Sequence, residues 1–386
     1  MQRISNKAIK IVVAPDSFKG SLTSVQVADG IERGIKKFAH NSLIERFAIA
    51  DGGEGSLEAI VNSLGGEFVP VMVHDPLMRE MVARYGVVEN SSTAVIEIAA
   101  ASGLPLLNKG ERNPTKTTTF GSGELILDAL KRGCRSFIIC IGGSATNDAG
   151  IGMLSALGYR FLDINGDELQ SIGEDLVSVS KIDSYNTVEE LKGAKFTVAC
   201  DVTNPLYGKE GAAYVFAPQK GATPKMVEML DAGLKNFSSV VKEELNVDIS
   251  RVEGAGAAGG LGGAFIAFLG AELKPGIELI LDTVGFNNAL EGADLVITGE
   301  GKLDRQTTMG KAPMGVLKRA KEFGVPVIAI GGAVEDKQLL LDMGFTGVYA
   351  IKPKDMPLER AMEFDVASEN LERCVEGVLR EISQVR

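Results

Sequence analysis

The chain has 386 residues, 46 of them glycine, and a formal net charge of −11. This length predicts two or three domains with a large buried core. The acidic balance argues against nucleic-acid and anionic-membrane partners, because phosphate-rich surfaces attract clustered lysine and arginine.

The apolar runs, the cysteines and the histidines of the sequence predict where the protein is located and which reactions it can catalyse. The N-terminal sequence lacks the apolar run of a signal peptide, and no stretch reaches the roughly 18 apolar residues of a membrane-spanning helix. Scattered cysteines without a C-x-x-C pair predict reduced thiols in a cytoplasmic protein. With only two histidines, a Ser-His-Asp hydrolase or a histidine-bound metal is not expected. Phosphoryl transfer with Mg²⁺ is the main reaction class that carboxylates, lysines, hydroxyls and backbone amides can support.

The first predicted element is the apolar strand "IKIVVAP", which ends at Asp16. A helix is predicted next, because apolar residues recur at three- and four-residue spacing from Val25 to Phe38, behind the hydroxyls of Ser21 and Thr23. Similar apolar runs end at glycine or a carboxylate in "RFAIADGGEG", "SFIICIGGSATND", "KFTVACDVTNP", "ADLVITGEGKLD" and "VPVIAIGGA". Such runs are typical of parallel strands buried on both faces, and with the helical patterns between them they predict an α/β fold.

Two further segments have a different character. The stretch that begins near Glu67 predicts antiparallel strands, and "GAGAAGGLGGAFIAFLGAEL" predicts a loop that leads into a closely packed helix. We therefore predict two domains with a ligand cleft between them. The first is a discontinuous parallel-sheet domain, Rossmann- or flavodoxin-like, over residues 1–68, 133–204 and 292–386. The second is an inserted mixed α/β domain over residues 69–132 and 205–291.

The loop "PDSFKGS" follows the first strand but is not a nucleotide P-loop, because Lys19 precedes Gly20 where the P-loop lysine follows its last glycine. Asp16, Ser17 and Lys19 are instead placed to orient a small hydroxy acid or a phosphate, with Lys19 neutralising developing charge. The segment "RNPTKTTTFGSGE" adds Lys116 as a further contact to substrate or nucleotide. A plain loop is the alternative for it.

The segment "IGGSATNDAGIG" stands between a predicted buried strand and a predicted helix. Its candidate phosphate or substrate contacts are Gly142, Gly143, Ser144, Thr146 and Asn147. Asp148 follows them as a candidate Mg²⁺ ligand, since Mg²⁺ prefers one or two carboxylates together with phosphate and water. A capped helix start is the structural alternative, and both interpretations are compatible.

The segment "GEGKLDRQTTMGK" is the most suggestive of a phosphate site. Its glycines, beginning with Gly299, let backbone N–H groups reach phosphate oxygens, and the following helix offers its positive N-terminal end. Arg305 and Lys311 supply cations, and Glu300 and Asp304 supply carboxylates. A solvated surface loop is the structural alternative.

Taken together, the motifs "APDSFKGSLTS", "ADGGEGS", "HDPLMRE", "GGSATND", "CDVTNPL", "FAPQKGA", "GAGAAGGLG", "DLVITGEGKLDRQT" and "VPVIAIGG" resemble the class I glycerate kinase family. The resemblance runs from about residue 9 to 350 and leaves the first eight residues as an extension. It implies two α/β domains with the site between them. It also implies Mg²⁺- and ATP-dependent phosphorylation of D-glycerate in cytoplasmic glyoxylate or glucarate metabolism, at the 2-hydroxyl in many members and at the 3-hydroxyl in others.

Within this resemblance we hypothesise that Asp201 or Asp51 is the catalytic base for the glycerate hydroxyl, because attack on ATP needs a carboxylate within hydrogen-bond reach. The candidate Mg²⁺ ligands are Asp148, Glu300 and Asp304. The candidate contacts to the glycerate carboxylate or the ATP phosphates are Lys19, Arg305 and Lys311.

Two alternatives stay open at this stage. One is a kinase or phosphatase for another small hydroxy acid, and the other is a non-catalytic regulator that binds a phosphorylated metabolite. The number of carboxylates at strand ends counts against the regulator, because anion binding alone does not favour them. The expected partners are D-glycerate and ATP, and whether the chain forms a homodimer stays open.

Overall fold

A computed structural model describes residues 9–89 and 92–385, so the N-terminal extension lies outside the described residues. The strands are β1 (Lys10–Pro15), β2 (Leu43–Arg46), β3 (Glu67–His74), β4 (Glu80–Val88), β5 (Thr93–Glu97), β6 (Ser136–Cys140), β7 (Arg160–Leu162), β8 (Lys181–Asp183), β9 (Lys195–Ala199), β10 (Glu272–Lys274), β11 (Leu295–Leu303), β12 (Val327–Val334) and β13 (Gly347–Ala350).

The α-helices are α1 (Ser24–Phe38), α2 (Ser56–Leu64), α3 (Ala99–Ser102), α4 (Phe120–Lys131), α5 (Ile151–Ala156), α6 (Ala212–Phe216), α7 (Pro224–Leu245), α8 (Ala257–Leu269), α9 (Gly276–Thr283), α10 (Phe286–Leu290), α11 (Ala312–Glu322), α12 (Lys337–Met343), α13 (Leu358–Ala361) and α14 (Phe364–Val385). None of the helices in the described ranges is both long and apolar enough to cross a membrane.

The described chain divides into two compact units. The first unit contains residues 9–51, 58–63 and 277–385, and the second contains residues 52–57 and 64–276. These units differ from the predicted boundaries chiefly at residues 133–204, which lie in the second unit, and at residues 277–291, which lie in the first. For residues 133–204 the reason lies in strand pairing, because β6 pairs with β5 and β9, and β9 pairs with β10.

The first unit is built on a parallel five-stranded sheet with the order β13-β12-β11-β1-β2. This is the flavodoxin-like strand order, in which the chain winds in opposite directions from the first strand. The reversal falls between β1 and β11, where Pro15 is in register with Gly299. In open parallel sheets, ligands bind beyond the carboxyl ends of the strands at this switch point.

Alternating side chains of β1 bury one face of this sheet. Ile11 and Val13 share a core cluster with Ile31 of α1 and Leu371 of α14. Helix α1 begins as predicted at a hydroxyl cap, because the Thr23 hydroxyl accepts a hydrogen bond from the Gln26 N–H at 3.3 Å. The Thr23 cap therefore sets where α1 begins, and the apolar face of α1 packs against the buried face of the sheet.

The second unit contains a mixed six-stranded sheet with the order β10-β9-β6-β5-β4-β3 and a small antiparallel pair, β7 and β8. The four strands from β10 to β5 are parallel, whereas β3 and β4 are antiparallel, as the sequence predicted for that region. Stacked rings of Phe137 and Phe196, with centroids 4.6 Å apart, pack within its core.

Two apolar runs form strands that differ in length from the prediction. Strand β11 continues through Leu303 and pairs with β12 over this extension, so Glu300 lies within the strand and not beyond its end. Strand β2 ends at Arg46, although Ile49 still donates a backbone hydrogen bond to Pro15 at 3.2 Å. The chain therefore follows the sheet up to the neighbourhood of Asp51.

Candidate active site

A cavity of about 580 Å³ opens at the switch point of the first unit, and we call it the switch-point cavity. Six of the residues singled out in the sequence line it, namely Asp16, Ser17, Lys19, Asp51, Glu300 and Lys311. They come from the ends of β1 and β2, from β11 and from the residue before α11. A cavity of this size, with charged groups from several strands, has the character of a small-molecule site.

Asp16 is the most perturbed carboxyl group of the cavity. It is only 5% exposed, and its backbone N–H donates to the Gly299 carbonyl at 2.8 Å, which fixes the turn after β1. Burial raises the pKa of Asp16 to about 7, and the nearby charge of Asp51 adds to this effect, against the opposing Ser17 N–H and Lys19. A carboxyl group with a pKa near neutrality is suited to accept a proton in a reaction.

Glu300 is a second buried carboxylate, on the strand next to Asp16. Its Oε1 accepts a hydrogen bond from the Thr307 hydroxyl, and its Oε2 lies 3.4 Å from Lys311 Nζ. Burial raises the pKa of Glu300, while Thr307 and Lys311 oppose the rise. The ion pair also accounts for a cation at Lys311, just before the N-terminus of α11 where the helix dipole disfavours positive charge.

Four lysines line the cavity, although the protein as a whole is acidic. Lys302 lies 2.9 Å from Glu335, and Lys352 Nζ donates to the Met356 carbonyl at 2.9 Å. Lys19 is exposed and has no ion pair within the described residues. These lysines offer positive charges to an anionic ligand, although four carboxyl groups also line the cavity.

Three sequence-predicted residues of the first unit do not line the cavity. Gly299 faces β12, because a Cβ there would lie 2.0 Å from the Ile330 carbonyl oxygen. Asp304 accepts a hydrogen bond from the Gln306 N–H at 2.8 Å and caps a 3₁₀ turn. The Arg305 N–H donates to Asp336 at 3.0 Å, and its side chain is exposed. These contacts give Gly299 and Asp304 local structural roles.

The second unit carries the other group of predicted residues in the loop between β6 and α5. Gly142 and Gly143 are exposed, whereas Ser144, Thr146, Asn147 and Asp148 are buried. Gly143 has a φ of +76°, a left-handed conformation that glycine adopts easily. The loop therefore turns at its glycines and carries its polar side chains inward.

A buried lysine that the sequence analysis missed holds this loop. Lys220 is 3% exposed, and its Nζ donates to Ser144 Oγ at 2.8 Å and to the Thr146 carbonyl at 2.6 Å. Burial lowers the pKa of Lys220 to about 7, against the opposing charge of Asp148. Lys220 belongs to the segment "FAPQKGA", so a lysine inside an apolar, glycine-bounded run was the available signal.

Asn147 and Thr146 are unusual because their buried polar atoms lack partners in the described structure. Both side-chain polar atoms of Asn147 and the Thr146 hydroxyl have no hydrogen-bond partner among the described residues. Leaving such groups unpaired costs about 1–3 kcal/mol each. An ordered water molecule or a polar ligand group would satisfy these buried donors and acceptors.

Asp148, predicted as a metal ligand, is fully buried and saturated by protein donors. Its carboxylate accepts hydrogen bonds from the N–H and hydroxyl of Thr119 and from the N–H groups of Gly150 and Gly152, at 2.7 to 3.3 Å. Burial raises the pKa of Asp148, and these donors oppose the rise. The Asp148 carboxylate links the start of α5 to the loop at Thr119. Because its oxygens are occupied by these donors, we do not propose Asp148 as a Mg²⁺ ligand.

The remaining predicted residues of the second unit have partners of their own. Asp201 is exposed and accepts a hydrogen bond from the Gly276 N–H at 2.8 Å. Lys116 forms an exposed ion pair with Glu174. His74, one of the two histidines, also has a partner, because its Nδ1 lies 3.0 Å from Glu124.

The switch-point cavity places a carboxyl group of raised pKa beside several lysines, and sites of the phosphoryl-transfer class use groups of these kinds. Comparison with known proteins agrees with this class. The model of the glycerate kinase family matches residues 11–383, and the chain belongs to that family. It is a kinase of that family.

The similarity to individual proteins extends over almost the whole chain. The chain is 45% identical to a glycerate kinase of Halalkalibacterium halodurans, over 92% of this chain and 93% of that protein. It is 42% identical to a glycerate 2-kinase of Escherichia coli K12, over 96% and 97%. A crystal structure described as that of a candidate glycerate kinase 2 from Salmonella typhimurium LT2 matches with a TM-score of 0.90 and 43% identity, over 98% and 99% of the two chains.

Proposed function

We propose that this protein phosphorylates D-glycerate with ATP to give 2-phosphoglycerate. The observation that carries the proposal is the switch-point cavity, where Asp16, Lys19, Glu300 and Lys311 converge in a chain of the glycerate kinase family. The choice of the 2-hydroxyl draws on the similarity to a protein named glycerate 2-kinase. We also propose a cytoplasmic setting, because no disulfide joins the four cysteines, all of which lie in the described ranges.

Asp16 is our candidate for the catalytic base, in place of Asp201 or Asp51. A base must take the proton of the glycerate hydroxyl as that oxygen attacks the γ-phosphorus, and the pKa of Asp16, about 7, suits this task at neutral pH. Asp51 lines the same cavity, and its charge raises the pKa of Asp16. Asp201 belongs to the second unit and accepts a hydrogen bond from Gly276.

The lysines bind and orient the anionic groups in this proposal. Lys19 is exposed at the cavity and has no protein ion pair in the described ranges, so it is available to a phosphate oxygen. Lys311 stands beside Glu300 and completes a second cationic position. In phosphoryl transfer most of the rate enhancement comes from such positioning and charge neutralisation.

The donor set of the cavity also fits Mg²⁺. Within the described residues, His, Cys, Asp and Glu form no group of three that could cage a metal ion by itself. Mg²⁺ commonly binds one or two carboxylates and completes its shell with phosphate and water. Glu300 is the residue that would hold it, and when bound it would neutralise charge on the nucleotide phosphates.

A direct assay tests the proposed function. Purified protein is incubated with ATP, Mg²⁺ and D-glycerate, ADP release is followed with a coupled assay, and the product is identified by phosphorus NMR. We expect 2-phosphoglycerate. A 3-phosphoglycerate signal would correct the position of transfer, and absence of turnover with either enantiomer in a folded sample would reject glycerate as the substrate.

A further inference from the structure

The switch-point cavity has a second wall that the proposed chemistry does not use. This wall is apolar and comes from the residue after β13, from α13, from the residue after α13 and from α14. We call it the apolar wall, and it consists of Ile351, Leu358, Ala361, Met362 and Ala367. Ile351, Ala361 and Ala367 are buried, whereas Leu358 is 61% exposed and Met362 is 36% exposed.

The volume of the cavity exceeds what a three-carbon acid requires. At about 580 Å³ it lies within the range of roughly 300–1,000 Å³ that holds drug-sized ligands. Glycerate carries a carboxylate and two hydroxyls and has no apolar group for Leu358 or Met362 to cover. The apolar wall therefore fits the other substrate, which carries an aromatic base.

The apolar wall lies next to the turn that carries Lys19. A Cβ at Gly20, the residue after Lys19, would lie 3.0 Å from Met362 Cε. The Met362 methyl group thus lies against the turn that presents Lys19. A ligand with an aromatic ring at one end and phosphates at the other can contact both surfaces at once, and a methionine side chain packs favourably against an aromatic ring.

We propose that the base of ATP binds against Leu358 and Met362, with its phosphates directed toward Lys19 and Lys311. This inference rests on the proposed function, because it assigns the nucleotide subsite of the same cavity. It leaves the space near Asp16 and Glu300 for the acceptor and the transferred phosphate. Leu358 and Met362 are then specificity residues for the nucleotide.

The test uses Met362→Glu and a matched control, Met343→Glu, because both methionines are 36% exposed and only Met362 lines the cavity. A glutamate at residue 362 places a charged group on the apolar wall and repels the nucleotide phosphates. We expect the Kd of a fluorescent ADP analogue, measured without glycerate, to rise at least 10-fold in Met362→Glu. In Met343→Glu it should change less than 2-fold.

Leu358→Glu is the second variant, since a side chain that is 61% exposed can be replaced without opening the core. Its Kd for the analogue should also rise, with an unchanged Tm. An unchanged Kd in both cavity variants, or a rise only in the KM for glycerate, would overturn the inference. If Met362→Glu weakens binding of the analogue but the wild-type protein does not turn over glycerate, the inference about the nucleotide subsite stands and the proposed function is rejected.

Discussion

Asp16 is the residue on which the proposed chemistry depends. Asp16→Asn keeps the shape of the side chain but removes its ability to accept a proton. We expect kcat to fall by about 10²–10⁴-fold, with a smaller change in the KM for ATP. Asp342→Asn on α12 is the control, because Asp342 is exposed and bonds only to Gln338 in the described structure. Near-normal kcat in Asp16→Asn would remove Asp16 as the base.

The pH dependence of the reaction gives a separate prediction for the neighbour, Asp51. A base must be unprotonated, so kcat/KM should rise with pH through about 7, the pKa of Asp16. The charge of Asp51 raises this pKa, so Asp51→Asn should shift the midpoint of the profile to lower pH. The midpoint is read from kcat/KM for glycerate across the neutral range, and an upward shift would contradict the assignment.

Cavity residues that follow a strand could be predicted from the sequence. Cavity residues whose position depends on the order of strands in the sheet could not. Asp16 and Lys19 follow a recognisable apolar strand, and both line the cavity. Lys352 and Glu335 line it too, but no local motif marks them, because their position depends on where β12 and β13 join the sheet. Lys220 meets Ser144 across 76 residues, a contact that no local spacing reveals.

At the scale of elements, the start of α8 depends on close backbone packing. Ala258, Gly259 and Gly260 all have positive φ, so the regular helix begins only after them, as predicted for a loop that leads into a helix. A Cβ at Gly259 would lie 2.2 Å from the Thr146 carbonyl oxygen. The Gly/Ala-rich run therefore packs directly on the buried loop that contains Asn147.

Gly259→Ala and Gly270→Ala separate backbone strain from steric contact. Both glycines have positive φ, at +74° and +59°, but a Cβ at Gly270 meets no atom within 4 Å. In Gly270→Ala the free energy of unfolding should fall by about 1–2 kcal/mol, because alanine disfavours the left-handed conformation. In Gly259→Ala it should fall by the same amount and by a further ~1–3 kcal/mol, because the new methyl group overpacks the contact. Urea denaturation measures both, and equal losses would argue against the close contact at Thr146.

The Lys220 contact makes a prediction about stability and pH. The pKa of Lys220 is lowered to about 7 in the folded state, from 10.5, so between these values the unfolded chain binds more protons. The free energy of unfolding should therefore rise with pH in this window, by up to about 1.4 kcal/mol per pH unit from this lysine. Below about pH 7 the lysine is protonated in both states and the slope vanishes.

Lys220→Met should remove this pH dependence of the free energy of unfolding. Lys225→Met is the control, because it removes a lysine that is not buried. Lys225 is exposed on α7, whereas Lys220 is buried. The difference in unfolding free energy between wild type and Lys220→Met should grow in favour of wild type from about pH 7 to about pH 9. The same difference for Lys225→Met should stay constant. A constant difference for both variants would mean that Lys220 titrates normally.

At the scale of the whole molecule, the sequence predicted the α/β class and both kinds of sheet but not which strands belong together. The runs that form β6 and β9 are as apolar as those that form β1 and β11, so local pattern cannot separate them. Only pairing decides membership, and it places β6 and β9 beside β5 in the mixed sheet. Domain boundaries therefore depend on contacts that are distant along the chain.

The second unit should fold as an isolated fragment. Its six-stranded sheet lies entirely within residues 67–274, and its core cluster is contained in the same stretch. A fragment of residues 64–276 should give a cooperative urea transition and native-like dispersion in its NMR spectrum. The control is a fragment of residues 9–63, which contains only two strands of the first sheet and should stay unfolded. An unfolded 64–276 fragment would contradict this expectation.

The pairing of β1 with β11 also has a consequence for the timing of protein synthesis. Lys10 and Asp294 meet across 284 residues, so β1 leaves the ribosome long before its partner exists. At roughly 5–20 residues per second, the wait lasts about 15–60 s. During that interval the apolar run of β1 can pair only with β2, while the strands of the second unit are all completed. For this period the edge of β1 that later pairs with β11 is unprotected in the nascent chain. We therefore expect chaperones to bind this edge.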